Sequence, residues 1–379
     1  MKLWKLIVLF IVAVAMLFSC IPDQAKAMNE VSAQSAVLME QHSGRILLEK
    51  DAHTKRRIAS ITKIMTAILA LESGKMDDTV TVSARAVRTE GSSIYLKEGE
   101  KIKLRDLVYG LMLRSGNDAA VAIAEHVGGS VEGFVVLMNQ KAAEIGMRNT
   151  EFANPHGLDD AENHYSTAYD MALLMQYAMK NKEFQKISRT KVYRAPDPEG
   201  KSERVWRNKN KLLTKLYEYC TGGKTGYTKR ANRTLVTTAS KDGLDLIAVT
   251  LDAPDDWNDH IAMYEYGFKH YVIAKVDQKR MIKKIRDSFY RENIQASRAL
   301  RYPVTEEEMK DLRVKIHLLR PHKEWKKDES RIPAIVGKAV LYLGEEAVDE
   351  VPLLHKKSTS KRDRSFWNAF HFLGVKNDG

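Results

Sequence analysis

Cysteine is scarce in this 379-residue sequence, and its scarcity limits how the fold can be held together. The two cysteines are Cys20 and Cys220, and Cys20 belongs to an N-terminal segment that we predict to be removed. Cys220 is then alone, so the mature chain forms no internal disulfide and depends on its hydrophobic core. Since nothing near Cys220 in the sequence favours a lowered thiol pKa, we interpret it as a small buried apolar residue.

Metal-binding and nucleic-acid-binding patterns are also missing from the sequence. The eleven histidines are scattered and no His-Glu-x-x-His motif occurs, which argues against a metal-dependent peptidase. No nucleic-acid-binding motif accompanies the net charge of +12. We therefore expect no metal, no cofactor and no nucleic-acid partner, and we interpret His156 as a structural loop residue.

An uninterrupted apolar run occupies residues 6–18, behind two lysines. It is too short for a comfortable membrane span, and the small residues at positions 25–27 are typical of a cleavage site. We predict that residues 1–27 are a signal peptide and that the protein is exported to the outer face of the cytoplasmic membrane or the cell wall. The alternatives are a retained membrane anchor and a lipoprotein site at Cys20, which the bulky Phe18 disfavours.

Basic residues are concentrated in two stretches, residues 204–215 and 356–364. An exported protein of this charge meets anionic polymers and lipid headgroups. The second stretch precedes apolar residues at helical spacing, namely Phe366, Ala369, Phe370 and Leu373. We predict that residues 353–379 form a basic amphipathic tail that lies on the membrane surface, because they are too few to span it. The alternative is a helix packed on its own protein.

Apolar periodicity predicts one antiparallel sheet built from both ends of residues 28–272, with a helical cluster inserted between them. Residues 36–39 and 45–48 predict a hairpin, and a turn at residues 241–243 predicts a second one. The predicted helices are residues 61–72, 104–113, 119–127, 131–145, a helix capped at 166–167 and ending at 179, and residues 261–271. The later strands are predicted at residues 224–228, 234–239 and 244–251.

The chain changes character after about residue 272. Lysine and arginine are dense there, helical patterns are few, and residues 339–343 with Gly344 indicate strands and turns. We predict that residues 273–352 form a small β-rich second domain. The overall fold class is then mixed α/β (α+β).

A Ser-x-x-Lys motif at residues 60–63 stands at the start of the first predicted helix. Positions three apart are neighbours on a helix, so the Ser60 hydroxyl would lie beside an amine, that of Lys63, that can take its proton. The same pattern recurs at residues 188–191 and 358–361. Taken alone, the motif is explained equally well by a helix N-cap at Ser60.

Two further motifs change this balance. Ser-Gly-Asn at residues 115–117 lies between two predicted helices, and Lys-Thr-Gly at residues 224–226 lies on a predicted strand. Taken alone, the first is best explained as a capping serine in an inter-helix turn, and the second as an ordinary turn. In this order and on these elements, the three motifs match the Ser-x-x-Lys, Ser-x-Asn and Lys-Thr-Gly set of penicillin-binding proteins and serine β-lactamases.

The sequence resembles a low-molecular-weight penicillin-binding protein of the D-alanyl-D-alanine carboxypeptidase family, peptidase family S11. The resemblance runs from about residue 35 to residue 270 and includes residues 91–93, 154–158 and 224–228. The β-rich second domain and the tail also fit the family. Among its members the chain most resembles those of spore-forming bacteria, which trim spore-cortex peptidoglycan.

This resemblance implies a transpeptidase-like fold, related to serine β-lactamases, and a DD-peptidase catalytic domain at residues 28–272. It implies a serine carboxypeptidase that removes D-alanine from peptidoglycan pentapeptides in cell-wall or spore-cortex maturation. β-Lactam antibiotics would be covalent inhibitors, because they mimic the end of that peptide.

The resemblance assigns the acyl-enzyme chemistry to three residues. Ser60 would be the nucleophile, Lys63 the proton acceptor and Ser115 the proton relay to the leaving amine. A free lysine has a pKa near 10.4, whereas a general base works best near the ambient pH, so the pKa of Lys63 must fall by about 3 units. Burial and the positive charge of Lys224 can lower it.

The resemblance also assigns the substrate contacts. Asn117 would hold the substrate amide, and the backbone N–H groups of Ser60 and Tyr227 would form the oxyanion hole. Lys224 and Thr225 would receive the terminal carboxylate. The full substrate-binding set is Asn117, Lys224, Thr225, Gly226 and Tyr227.

A further carboxylate-binding arginine, which many family members use, is not placed by the sequence. The corresponding stretch, residues 255–259, is acidic. Arg233 is a candidate substitute, although a solvated strand position explains it better.

Alternative functions remain open within and outside this fold. A class A β-lactamase is disfavoured because no Glu-x-x-Leu-Asn stretch lies between residues 115 and 224, and because Gly116 stands where such enzymes have aspartate. A DD-transpeptidase differs only in what attacks the acyl-enzyme. The non-enzymatic alternative is a cell-wall-binding protein that acts through its basic second domain.

Overall fold

The computed structural model describes residues 31–196, 203–283, 285, 287–291 and 293–356. The predicted signal peptide and nearly all of the predicted tail lie outside the described residues. The chain divides into two compact units, the first ending at Lys269 and the second beginning at His270.

The first unit contains nine strands and eight helices in its described residues. The strands are β1 (Ser35–Glu40), β2 (Ile46–Lys50), β3 (Thr79–Thr81), β4 (Lys101–Lys103), β5 (Val192–Pro196), β6 (Glu203–Arg207), β7 (Cys220–Thr228), β8 (Asn232–Lys241) and β9 (Leu244–Leu251). The helices are α1 (Lys63–Glu72), α2 (Ala84–Val87), α3 (Leu104–Arg114), α4 (Asn117–Gly128), α5 (Val131–Ile145), α6 (Ala168–Ala178), α7 (Lys182–Ser188) and α8 (Asp256–His270). A 3₁₀ turn (Ala59–Thr62) precedes α1, and a π-helical turn (Leu212–Leu216) precedes β7.

Five strands of this unit form one antiparallel sheet in the order β2-β1-β9-β8-β7. The first two strands pair with the last three because β1 aligns with β9, where Leu38 lies opposite Ala248. Every residue of β1 is buried, as expected for a strand with neighbours on both sides and packing on both faces. The predicted sheet, built from both ends of the segment, is confirmed.

Local sequence signals account for the two hairpins of this sheet. The β1–β2 turn ends at Gly44, which has φ +77°. The β8–β9 turn places Asp242 and Gly243 at φ +51° and +82°. Two successive residues with positive φ give the twist that a two-residue hairpin needs, which is why Asp-Gly predicts this turn.

The inserted helices pack on one another and on the sheet through a single hydrophobic core. Helix α1 runs through its centre, because residues 64–70 are all apolar or Thr and all are buried. The predicted cap of α6 is confirmed, since Thr167 Oγ1 accepts a hydrogen bond from the Asp170 N–H at 3.0 Å. The predicted helix start at residue 61 differs slightly from the structure, in which a 3₁₀ turn leads into α1.

Membrane-spanning helices are not found in the described part of the chain. No single helix there combines the required length and apolar composition, and α4 with α5 meets the criterion only as a pair bent by 83°.

The second unit is built mainly of strands. These are β10 (Val272–Val276), β11 (Ile294–Ala296), β12 (Leu300–Val304), β13 (Leu312–Leu318), β14 (Ile335–Leu343) and β15 (Glu346–His355), with the short helix α9 (Gln278–Ile282). Four of them form an antiparallel sheet in the order β11-β15-β14-β13, and β10 pairs with β12. The predicted β-rich character of this region is confirmed. In β13 half-buried and exposed residues alternate, because one face covers the core and the other meets solvent.

Candidate active site

The Ser-x-x-Lys motif lies where the 3₁₀ turn meets α1. Ser60 is partly exposed in the turn, and Lys63 is the first residue of the helix and is fully buried. Lys63 Nζ lies 3.0 Å from Ser60 Oγ. The structure therefore places the Ser60 hydroxyl next to the Lys63 amine, as predicted.

The Lys63 amine has two further close neighbours, and both are acceptor-only oxygens. Its Nζ donates to Asn117 Oδ1 at 2.7 Å and to the His156 carbonyl oxygen at 2.5 Å. A neutral amine has two N–H bonds and one lone pair. In this form the two N–H bonds would be used by these oxygens, and the lone pair would be left for the hydroxyl of Ser60.

The surroundings of Lys63 favour this neutral form. Burial is the largest cause that lowers its pKa well below the usual value, and the positive charges of Lys224 and Lys209 lower it further. Asp118 raises this pKa, as the smallest of the four influences. Burial, helped by Lys209, also lowers the pKa of Lys224, to about 7. Burial and Lys224 are the two causes that the sequence suggested.

Ser115 ends helix α3, two residues before Asn117, which contacts Lys63. It is a left-handed residue with φ +65° and is nearly buried, with 5% of its surface exposed. Its backbone N–H donates to the Leu111 carbonyl oxygen at 3.1 Å, whereas its hydroxyl makes no hydrogen bond to any residue that the structure describes. A non-glycine residue in this conformation is strained, and such strain is common at functional sites.

Asn117 connects the buried lysine to the loop at residues 90–96. Its Nδ2 donates to the Glu90 carbonyl oxygen and its backbone N–H to the Ser92 carbonyl oxygen, both at 2.6 Å. The carboxylate of the next residue, Asp118, accepts from the Ile94 N–H at 3.1 Å and holds the same loop. Residues 117–118 therefore fix one wall of the site, a positioning role that sequence analysis missed.

The Lys-Thr-Gly motif lies on β7, the edge strand next to Ser60. Gly226 is placed so close that a Cβ atom there would overlap Thr234 Oγ1 and lie 2.9 Å from the Ser60 backbone nitrogen. Lys224 is buried and its Nζ donates to the Thr225 carbonyl oxygen at 2.6 Å. The three motifs, which are far apart in sequence, are thus brought together around Ser60.

Tyr227 follows this motif and is 65% exposed, unusually high for a large aromatic side chain. It pairs across the sheet with Arg233. Arg233 is not simply solvated, because its guanidinium pairs with the buried carboxylate of Asp256 at 2.5 Å. The acidic stretch at residues 255–259 therefore holds Arg233 against α8.

Lys209 is a third lysine of the site that sequence analysis did not single out. Its Nζ donates to Ser92 Oγ at 3.2 Å, and its backbone N–H donates to the Leu113 carbonyl oxygen at 3.2 Å. Lys209 lies in the basic stretch at residues 204–215, which the composition of the sequence had already indicated. Composition alone did not show which residue of that stretch reaches the site.

The loop at residues 154–158 closes the site behind Ser60. Gly157 has φ +86°, and a Cβ atom there would overlap the carbonyl oxygen of Ala59. Ala59 itself has φ +48°. Glycine is needed at position 157 both for its conformation and for the close approach of the two backbones.

We expect that Gly157→Ala destabilises the first unit by at least about 3 kcal/mol, because strain and backbone overlap add. Gly74→Ala is the matched control, since Gly74 has φ +73° but no atom within 4 Å of the added Cβ. Its cost should be about 1 kcal/mol. Denaturant unfolding of both variants measures the difference, and equal costs would contradict the close packing of Gly157 on Ala59.

Metal ligands are not clustered in the part of the chain that the structure describes. No group of three or more His, Cys, Asp or Glu side chains there is arranged to hold an ion. His156 is buried and its pKa is lowered to about 3, mainly by burial. Its side chain is therefore neutral, and its carbonyl oxygen is the group that faces Lys63.

Comparison with known proteins gives consistent results. Residues 22–255 match the peptidase S11 family, described as D-alanyl-D-alanine carboxypeptidase. Over 63% of this chain and 63% of the relative, the sequence is 39% identical to D-alanyl-D-alanine carboxypeptidase DacF of Bacillus subtilis. Over 66% of this chain and 64% of the relative, it is 36% identical to DacC of Escherichia coli. The chain thus spans slightly less than two thirds of the length of these relatives.

A solved structure extends the comparison into the second unit. Penicillin-binding protein 5 of Haemophilus influenzae superposes on 86% of this chain and 97% of its own, with a TM-score of 0.68 and 28% identity. This similarity confirms the predicted fold class. Because the family match covers more than half of the sequence, this chain belongs to the peptidase S11 family of D-alanyl-D-alanine carboxypeptidases.

Proposed function

We propose that this protein is a serine D-Ala-D-Ala carboxypeptidase that removes the terminal D-alanine from peptidoglycan stem peptides. The observation that carries the proposal is the buried Lys63 amine, which lies 3.0 Å from Ser60 Oγ and also contacts Asn117 Oδ1 and the His156 carbonyl oxygen. This arrangement suits a general base that activates a hydroxyl nucleophile. Membership of the peptidase S11 family supports the same activity.

In the proposed reaction Ser60 Oγ attacks the carbonyl carbon of the penultimate D-alanine while its proton passes to Lys63. The proton then passes through the Ser115 hydroxyl to the leaving nitrogen. The C–N bond breaks, D-alanine leaves and an ester to Ser60 remains. Water hydrolyses the ester and regenerates the hydroxyl. The Ser115 hydroxyl has no hydrogen-bond partner among the described residues, which supports its role as relay.

The backbone N–H groups of Ser60 and Tyr227 are proposed to form the oxyanion hole. The close approach of Gly226 to the Ser60 nitrogen, which leaves no room for a Cβ atom, supports this assignment because the two backbones lie side by side. Loss of one such donor typically costs about 3 kcal/mol of transition-state stabilisation. The open edge of β7 can pair with the extended substrate peptide.

Lys224 and Thr225 are proposed to receive the terminal carboxylate. The positive charge of Lys209 supports this proposal, because it lies close enough to lower the pKa values of both buried lysines. Asn117 is proposed to hold the substrate amide, which requires its Nδ2 to exchange the Glu90 carbonyl oxygen for the substrate.

Incubation with a fluorescent penicillin and with a peptide ending in D-Ala-D-Ala tests the activity. We expect a stable covalent adduct of one penicillin per protein and release of free D-alanine. Rapid turnover of the penicillin would instead indicate a β-lactamase. Transfer of the acyl group to an added amine, without hydrolysis, would indicate a transpeptidase. Absence of labelling would favour the non-enzymatic cell-wall-binding alternative.

The location of the enzyme is part of the proposal. We infer that residues 1–27 direct export, that residues 28–272 and 273–352 are the catalytic and β-rich domains, and that residues 353–379 bind the membrane surface. The similarity to a Bacillus subtilis relative supports a role in a spore-forming cell. Removal of residues 357–379 should shift the protein from the membrane fraction to the soluble fraction, and unchanged sedimentation would contradict the tail's role.

A further inference from the structure

One end of the four-stranded sheet in the second unit gathers several chain segments. Strand β13 ends there and β14 begins there, because the Leu319 N–H donates to the Val336 carbonyl oxygen at 2.9 Å. Strand β15 also ends there, since the His355 N–H donates to the Ala334 carbonyl oxygen at 3.0 Å. The chain therefore passes on towards residues 357–379 from this end of the sheet.

The surface at this end is basic. Arg320 and Lys323 follow β13 directly and are exposed, and Lys356 is exposed at the end of β15. Neither Arg320 nor Lys323 forms an ion pair with a residue that the structure describes. The neighbouring carboxylate of Glu324 is instead paired with Arg331 at 2.9 Å.

Two apolar side chains protrude beside these charges. Leu319 is 47% exposed and Ile335 is 38% exposed, and they lie one residue apart across the β13–β14 ladder. Trp325, in the connection that follows, packs on the core of the unit and keeps this connection against the sheet. We call this end of the sheet, with its exposed residues Leu319, Arg320, Lys323, Ile335 and Lys356, the sheet-end face.

We propose that the sheet-end face binds the surface of an anionic lipid bilayer. Arg320 and Lys323 would contact the headgroups, and Leu319 and Ile335 would enter the boundary with the acyl chains. This combination of basic and apolar side chains suits the interfacial region, whereas a soluble polyanion gains nothing from the apolar pair. The inference rests on the proposed membrane association but assigns part of it to the folded second unit.

The position at which the chain leaves β15 supports a lipid surface as the partner. The sequence that continues from Lys356 carries basic residues and then Phe366, Trp367 and Phe370. It starts at the sheet-end face, so both would meet the same bilayer. Two weak contacts with one surface reinforce each other, because the second becomes intramolecular once the first has formed.

Binding of the full-length protein to vesicles of phosphatidylglycerol and phosphatidylcholine tests the proposal. Each basic residue near such a surface contributes about fivefold to partitioning. We expect the double variant Arg320→Gln/Lys323→Gln to partition about 25-fold more weakly than the wild type at physiological salt. Leu319→Ser/Ile335→Ser should also weaken binding, and it should do so even at high salt.

Lys310→Gln/Arg313→Gln is the matched control. These residues are exposed near the other end of β13, about 20 Å away along the strand. Salt screens the interaction between charges over about 8 Å, so they lie too far away to act at the sheet-end face. The control variant should therefore bind vesicles within about twofold of the wild type. Unfolding temperature and penicillin labelling, measured on all variants, verify that the fold is retained.

The outcomes separate the two hypotheses. If the wild type does not bind these vesicles, both the membrane association and the sheet-end face proposal fail, although the carboxypeptidase activity is unaffected. If the wild type binds and Arg320→Gln/Lys323→Gln binds equally well, only the sheet-end face proposal fails. If that variant keeps vesicle binding but loses binding to soluble polyphosphate, the partner is an anionic polymer and the lipid proposal is overturned.

Discussion

Ser60→Ala should abolish both penicillin labelling and D-alanine release, with a loss of at least about 10⁴-fold in turnover. The alanine lacks the oxygen that forms the acyl bond, and no other hydroxyl contacts the Lys63 amine among the described residues. Gel fluorescence after incubation with a fluorescent penicillin measures labelling, and a coupled assay measures D-alanine.

The turn that carries Ser60 should survive this substitution. Thr62 Oγ1 donates to the Ala59 carbonyl oxygen at 2.8 Å, and Thr234 Oγ1 donates to the Ile58 carbonyl oxygen at 2.9 Å. Ser240→Ala, at a half-buried position on β8, is the control and should label normally. Labelling that persists in Ser60→Ala would assign the nucleophile to another residue.

Lys63→Met should slow acylation by about 10²- to 10⁴-fold, the usual contribution of a general base. Methionine fills a similar volume but cannot accept a proton. Substrate affinity should change much less than turnover, because the Lys63 amine faces Ser60 and protein oxygens. The rate of penicillin acylation as a function of concentration separates the two quantities. A variant with full acylation rate would show that another group takes the proton.

The pH profile gives an independent check on Lys63. The base acts in its neutral form, so the acylation rate should rise with pH through the lowered pKa of Lys63. Lys224→Met removes a positive charge that lowers this pKa, so the acidic limb should move to higher pH. Lys209→Gln should move it in the same direction. Lys191→Gln, at the exposed lysine of the second Ser-x-x-Lys pattern, should not change the pH at which the acidic limb of the profile lies.

Much of the fold follows from local patterns in the sequence. The hairpins at residues 41–45 and 241–244 depend on turn residues whose conformational preference is intrinsic. The longer helices follow from apolar spacing, as in α5, whose bounds match the prediction. The short strands β5 and β6 and the helix α7 were not predicted, because few residues carry too little pattern to distinguish them from loops.

The functional site likewise combines features that follow from local sequence with features that depend on distant segments. The proximity of Ser60 and Lys63 is local, because three residues along a helical turn bring side chains together. We inferred from the set of three motifs that residues 115–117 and 224–226 join Ser60 and Lys63. The structure supplies the physical cause for the second of these segments, because β7 can approach Ser60 only where Gly226 has no side chain.

The order of the three motifs, the two-ended sheet and the pairing of a hydroxyl with an amine can all be read from residue types and their spacing along the chain. The protonation environment of Lys63, in contrast, arises only when the chain folds. Its burial, its contact with the His156 carbonyl oxygen and the charge of Lys209 all come from segments distant in sequence. Burial and electrostatic fields are sums over such neighbours, so only the folded chain fixes them.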